Sequence, residues 1–289
     1  MATESIQDIK RRIKSVTSTE RITNSMKLVS AGKLRKARRL FEETNENSFF
    51  ITNTIQELFN SSADIPKKYL ESSRNKDRAV YIIITSNKGL CGGFNTNVLK
   101  QAQERIDSEE NAPHIIAIGG KGFDFFQKRG YEIYNSYLAP PENITFLEAE
   151  ELTRPIIEMY DKGEINKVVL IYTAFMNAIE QKVVKRTLLP FHIEKDPDAG
   201  YTVSQLTEYE PSVEVVFNYL VPKYVEMQLF ASVIESATCE HAARRMAMEN
   251  ATDNAREMLG MLNLNYNRAR QAAITDQIIE IVAGSEAQN

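Results

Sequence analysis

The chain has 289 residues, 43% of them hydrophobic, no tryptophan and a net charge of −4. That supports a sizeable core and one or two domains, and no apolar run approaches the roughly 20 residues that span a bilayer. Cys91 and Cys239 are far apart with no CxxC, and three histidines are scattered. Neither a disulfide framework nor a zinc site is suggested, and no metal or other cofactor is expected.

Taken in chain order, the first segment predicts one long helix. From Glu4 to Leu58 there is no proline and one glycine, Gly32. Ser5 and Asp8 stand in near capping-box relation at its start. Ile6, Ile9, Ile13 and Val16 fall at 3–4 spacing. After a slip, Ile22, Met26 and Val29 resume it, followed by Leu34, Ala37 and Phe41. This predicts a heptad-like seam with a stutter. The segment fades near Asn60-Ser61-Ser62, and Pro66 closes it. Residues 1–40 carry eleven Lys/Arg against three Asp/Glu, with a cluster at Lys33, Arg35, Lys36, Arg38 and Arg39. That cluster is either a solvated helix face or a cationic stripe that meets an acidic partner, protein or nucleic acid. The first residues lack an apolar signal core, and Glu4 and Asp8 come early, so no cleaved leader is expected.

The middle, from residue 77 to about 210, changes period. Ala79–Thr85, His114–Ile118 and Lys167–Thr173 are short, continuous, β-branched apolar runs. Such runs predict strands buried on both faces. Helical stretches lie between them at Phe94–Ile106, Gly122–Arg129 and Phe146–Tyr160. Alternation of this kind predicts βαβ units, a Rossmann-like domain with a mostly parallel sheet. Lys182–Leu189 predicts a further strand, at an edge. Residues 190–212, with Pro190, Pro197, Gly200 and Pro211, predict a loop.

The last segment predicts a second long helix. Beyond Pro222 it has no proline, and Gly260 is its one glycine before Gly284. Alanines at Ala231, Ala237, Ala242, Ala247, Ala251, Ala255, Ala269 and Ala273 alternate with larger apolar residues. Small residues let helices approach closely, and a lone helix is marginal in water. The natural partner is therefore the first helix, running antiparallel. Both helices would be roughly 80–90 Å long at about 1.5 Å per residue. The expected division is 1–62, 77–210 and 213–286: helix, α/β domain, helix.

Chemistry is hard to find. Ser86–Asn95 follows a strand, is rich in glycine and precedes a helix, the layout of a phosphate cradle. Neither GxxxxGK[ST] nor GxGxxG is present, and Gly119-Gly120-Lys121-Gly122 is followed by Phe123, not by a hydroxyl residue. The bland alternative is a pair of tight turns that need positive φ. Cys91 near a helix N-terminus could be a thiol nucleophile only with a positioned histidine base, and His114 lies within an apolar run. No catalytic constellation is expected.

Three segments carry a family resemblance: Ile22–Ala31, the loop Gly89–Asn95, and a C-terminal run containing Glu240–Arg244, Asn250–Ala255, Tyr266–Ala272, Ile274-Thr275 and Glu280–Gly284. Together, at spacing that covers the whole chain, they resemble the γ subunits of F-type ATP synthases. The resemblance implies a left-handed antiparallel coiled coil with an α/β foot, inserted into a hexamer of α and β subunits. It implies a non-catalytic rotor that turns with a ring of membrane c subunits and drives the β sites through their cycle. The implied partners are the α and β subunits, the ε subunit and the c-ring, with no nucleic acid. The implied place is peripheral to a membrane, and a bacterial plasma membrane on its cytoplasmic side is the first choice. By the same resemblance Arg270, Gln271 and Thr275 face a β loop. Met26 and Lys27 face the moving β segment, and Lys33, Arg35 and Lys36 suit acidic stretches of β. Tyr209 and Glu210 are placed on the ε and c-ring side. Met26 as seam packing and Arg270 as a solvated charge remain open. Asn87-Lys88 departs from the Asp-Arg of many members, and no chloroplast-type cysteine insert is present. A spacer protein with a globular α/β hinge is the alternative, and it predicts ATPase head motifs at the termini that this sequence lacks.

Overall fold

The computed structural model describes residues 5–61, 66–70, 78–177, 180–191, 210 and 212–286. The elements are α1 (Ile6–Ser61), β1 (Ala79–Ile84), α2 (Phe94–Ile106), β2 (His114–Ile118), α3 (Gly120–Lys128), β3 (Ile133–Tyr137), α4 (Phe146–Asp161), β4 (Lys167–Phe175), β5 (Gln181–Leu189) and α5 (Val213–Glu286). The expected α/β sheet and both long helices are present; α1 has 56 residues and α5 has 74. Ser5 Oγ accepts from the Asp8 amide at 3.2 Å, so α1 begins at the expected cap. α5 accommodates Pro222 in its interior, where the ring removes one backbone donor.

The chain divides into two compact units. One contains Met1–Ala31 and Arg244–Asn289. Within it, Lys10 lies over the Tyr266 ring at 5.5 Å, and Arg256 Nε donates to Glu20 at 3.1 Å. Thr252 Oγ1 donates to Thr23 Oγ1 at 2.8 Å, and Lys27 Nζ is 4.0 Å from Glu249. Numbers that rise along α1 meet numbers that fall along α5, so the two helices run antiparallel.

The seam differs from the sequence expectation. Ile22 and Val29 are 57% and 61% exposed, whereas Thr23 and Ser30 are 8% and 3%. Burial along α1 follows 9, 13, 16, 20, 23, 27, 30, 34, 37, 41, 44, 48, 51, 55 and 58. That is alternating 4 and 3 spacing with no stutter, the period of a coiled coil. A search for large apolar residues slips a position here because small hydroxyl residues occupy the seam, where two backbones need room more than they need apolar volume.

The second unit spans Gly32–Ala243 and holds the sheet, in the order β3-β2-β1-β4-β5. β1 pairs parallel with β2 and β4, β2 pairs parallel with β3, and β5 closes the far edge antiparallel to β4. All six residues of β1 are buried. Val80, Ile82 and Ile84 share one cluster with Ile55 and Leu58 of α1, Ile156 of α4, and Phe217, Val225 and Leu229 of α5. Tyr81 and Ile83 point to the other face, with Val98 and Ala102 of α2 and Phe126 of α3. Each Val, Ile, Leu or Phe among them contributes about 1.5–3 kcal/mol when fully buried. β3 was not expected: IYNSY is short, mixes polar residues and pairs on one side only, so it lacks the apolar run of its neighbours.

Candidate partner-contact surfaces

In an open α/β sheet, ligands bind outside the carboxyl ends of the strands where the order reverses, here between β1 and β4. This chain fills that crevice itself. Ser86 N donates to Asn95 Oδ1 at 2.9 Å, and Asn95 Nδ2 donates to Ser86 Oγ at 2.7 Å and to Cys91 Sγ at 3.2 Å. Cys91 and Phe94 pack in one buried cluster with Cys239 of α5. Burial pushes the Cys239 thiol pKa upward, and a neutral, enclosed thiol is a poor nucleophile. His114 sits on β2, half-buried against the Tyr134 ring at 5.0 Å between centroids, and burial and Arg78 lower its pKa.

The second glycine turn is equally occupied. The amides that open α3 would be the donors for a bound phosphate. Gly120 N instead donates to Asn87 Oδ1 at 2.6 Å, and Gly122 N donates to Thr85 Oγ1 at 2.8 Å. Gly119 has φ 93° and packs so tightly that a Cβ there would lie 2.1 Å from Thr85 O. The glycines thus serve close packing of a turn. Asn87 Nδ2 also donates to Leu138 O at 2.8 Å. An aspartate in its place could not donate, so the variant loop has a structural use.

The residues selected for partner contact lie along the two long helices. In the Met1–Ala31 and Arg244–Asn289 unit, Lys27 occupies a seam position and leans toward Glu249, and Met26 beside it is half-buried. Arg270, Gln271 and Thr275 are exposed. Thr275 Oγ1 donates to the Gln271 backbone carbonyl at 3.0 Å. Arg270 is 21 residues beyond Glu249 on α5, about 30 Å along the helix, so the two sets occupy different levels. Past Tyr266 the helix exposes Ile274, Ile278, Ile279, Ile281 and Val282.

In the Gly32–Ala243 unit, the basic cluster is partly consumed by intramolecular pairs. Lys33 Nζ donates to Glu142 Oε1 at 2.8 Å, Arg38 to Glu42 at 3.0 Å, and Arg39 Nε is 3.6 Å from Glu43. Arg35 and Lys36 are exposed and form no ion pair among the described residues. Burial works to raise the Glu142 pKa, but the Lys33 bond, the backbone amide and the nearby His241 outweigh it and the net shift is downward. His241 Nε2 of α5 lies 3.8 Å from the same carboxylate. Glu142 therefore joins α1, α5 and the short turn before α4. Sequence reading missed this residue because its partners are distant in the chain. Glu210 is exposed just before α5, and Tyr209 lies outside the described residues.

The sequence model of the ATP synthase family matches residues 5–288. The ATP synthase gamma chain of Alkaliphilus metalliredigens is 42% identical, over 98% of each chain. The sodium-ion-specific ATP synthase gamma chain of Acetobacterium woodii is 40% identical, over 99% of each. Among solved structures, a chain of the Euglena gracilis mitochondrial ATP synthase aligns with a TM-score of 0.66 at 20% identity, covering 98% of this chain and 94% of that one. A chain of the Tetrahymena thermophila mitochondrial ATP synthase central stalk and c-ring aligns at 0.63 and 23%, covering 80% and 99%. The structural likenesses bear on fold alone.

Proposed function

The chain belongs to the ATP synthase gamma chain family, and we propose that it works as the non-catalytic central stalk of a rotary ATP synthase. In that role it turns with a ring of membrane subunits and drives the catalytic β subunits through their cycle. The single observation that carries the reading is the antiparallel pairing of α1 and α5 on an unbroken seven-residue repeat. A stiff paired helix transmits rotation, and it needs no reactive group. The crevice where an α/β enzyme would hold substrate is filled by the chain's own Asn95, Cys91 and Phe94, which supports a mechanical role for the sheet unit.

Partners follow from that role: α and β subunits around the long helices, with ε and the membrane ring against the sheet unit. Arg270, Gln271 and Thr275 are the proposed contacts to one β loop, and Met26 and Lys27 to the moving β segment. Lys33, Arg35 and Lys36 are proposed to meet acidic β residues, Arg35 and Lys36 directly and Lys33 in competition with Glu142. Tyr209 and Glu210 are assigned to the ε and ring side. No described helix is long and apolar enough to cross a membrane, so attachment is proposed to be peripheral, at the cytoplasmic face of a bacterial plasma membrane. The test is co-expression with α and β subunits. A purified complex that hydrolyses ATP and loses that activity when this chain is omitted supports the reading; a chain that never enters the complex overturns it.

A further inference from the structure

Gln228 of α5 is 2% exposed and joins three elements of the Gly32–Ala243 unit. Its Oε1 accepts from Arg186 Nη1 of β5 at 2.6 Å. Its Nε2 donates to Ser48 Oγ at 3.0 Å and to Thr52 Oγ1 at 2.9 Å, both on α1. A primary amide has one carbonyl and two N–H donors, so these bonds set which end faces the sheet and which faces the helix. The bond from the guanidinium is charge-assisted and the strongest of the three. Thr52 Oγ1 in turn donates to Ser48 O at 2.7 Å, which holds the receiving hydroxyl in place.

The apolar contacts beside it are of another kind. Val225, Leu229 and Val233 on the same helix pack by apolar burial. Such contact resists separation but has no direction, so one face can slip along another. A hydrogen bond weakens steeply as its angle bends, and therefore resists sliding. We infer that Gln228 is a positioning residue, a pin through which torque applied to the sheet passes into both long helices. The inference rests on the rotor function proposed above and deepens it.

The experiment uses the complex of this chain with its α and β subunits, held by the β subunits. A bead is attached through Lys128→Cys on exposed α3; both native cysteines are buried. The measured quantity is the width of the bead's angular fluctuation during pauses. Gln228→Met keeps the volume and removes all three bonds, and Arg186 is exposed and stays hydrated. The expected result is an angular variance larger by roughly half or more, with unchanged ATP hydrolysis and a lowered unfolding temperature, because three directional bonds no longer oppose twist. Gln228→Glu retains the bond from Arg186 and can accept one from the Ser48 hydroxyl, so it still ties the sheet to α1 and should stay near the unmodified width. If Gln228→Met fails to assemble, the double variant Ser48→Ala with Thr52→Val removes two of the three bonds, those to α1, and should widen the fluctuation as well. Unmodified width in a rotating complex overturns the pin alone. A wild-type chain that supports no rotation overturns the rotor reading beneath it.

Discussion

At the end of β1, Thr85 and Asn87 do with side-chain oxygens what a phosphate does in nucleotide-binding folds: they satisfy the first amides of α3, the helix after the neighbouring strand β2. The turn they close leaves no space at Gly119, whose backbone is also left-handed. Gly119→Ala should therefore cost about 3 kcal/mol, read as a lowered urea midpoint of the isolated chain. Two carboxylates make opposite predictions with pH. Burial raises the Glu235 pKa against the bond it accepts from Phe175 N at 2.9 Å. Between the ordinary carboxylate range and that raised value, the native chain keeps a proton that the unfolded chain has released. This contribution to stability falls as pH rises through the window, and Glu235→Gln should flatten it. The Glu142 pKa is lowered. Its contribution is complete above the ordinary range and is lost as pH falls through the lowered value, so Glu142→Gln should remove part of the acid sensitivity. Urea midpoints across a pH series separate the two variants.

At the scale of elements, the long helices owe their pairing to residues that a hydropathy scan passes over. Thr23, Ser30, Thr44 and Ser48 are buried seam positions of α1, and Thr252 meets Thr23 through a hydroxyl pair. Ser30→Leu adds apolar volume where no room exists, and is expected to destabilise by about 1–3 kcal/mol despite its greater hydrophobicity. Ile22→Ser, at an exposed neighbour, should change stability by less than about 0.5 kcal/mol. Thermal unfolding of the two variants decides between this seam and one built on Ile22 and Val29. The sheet was easier to read: β1, β2 and β4 are central strands buried on both faces and show unbroken apolar runs. Edge strand β3 has a neighbour on one side and needs no such run, which is why it escaped notice.

For the whole molecule, charge is segregated along the chain. Residues 1–40 are strongly basic while the complete chain is net negative, and intramolecular pairs absorb Lys33, Arg38 and Arg39. The exposed polar set near the end of α5 is the part proposed to grip a β subunit. Arg270→Ala with Gln271→Ala removes two solvent-facing side chains from a continuous helix, so the fold should be unchanged. ATP synthesis driven by an ion gradient should fall severalfold if each lost charged or polar contact is worth about 1 kcal/mol. Undiminished synthesis in an assembled complex would remove those residues from the contact.

The sequence by itself determined the two long helices, the mostly parallel sheet encoded between them and the family. Each of these is written in local patterns: apolar periodicity, breaker placement and contiguous motifs. Only the tertiary structure decided which residues line the seam, what fills the crevice beside β1, and that Glu142 and Gln228 each tie distant elements together. Those outcomes depend on contacts between residues as far apart as Ser48 and Gln228. There, available space and hydrogen-bond direction outweigh the hydrophobicity of any one side chain.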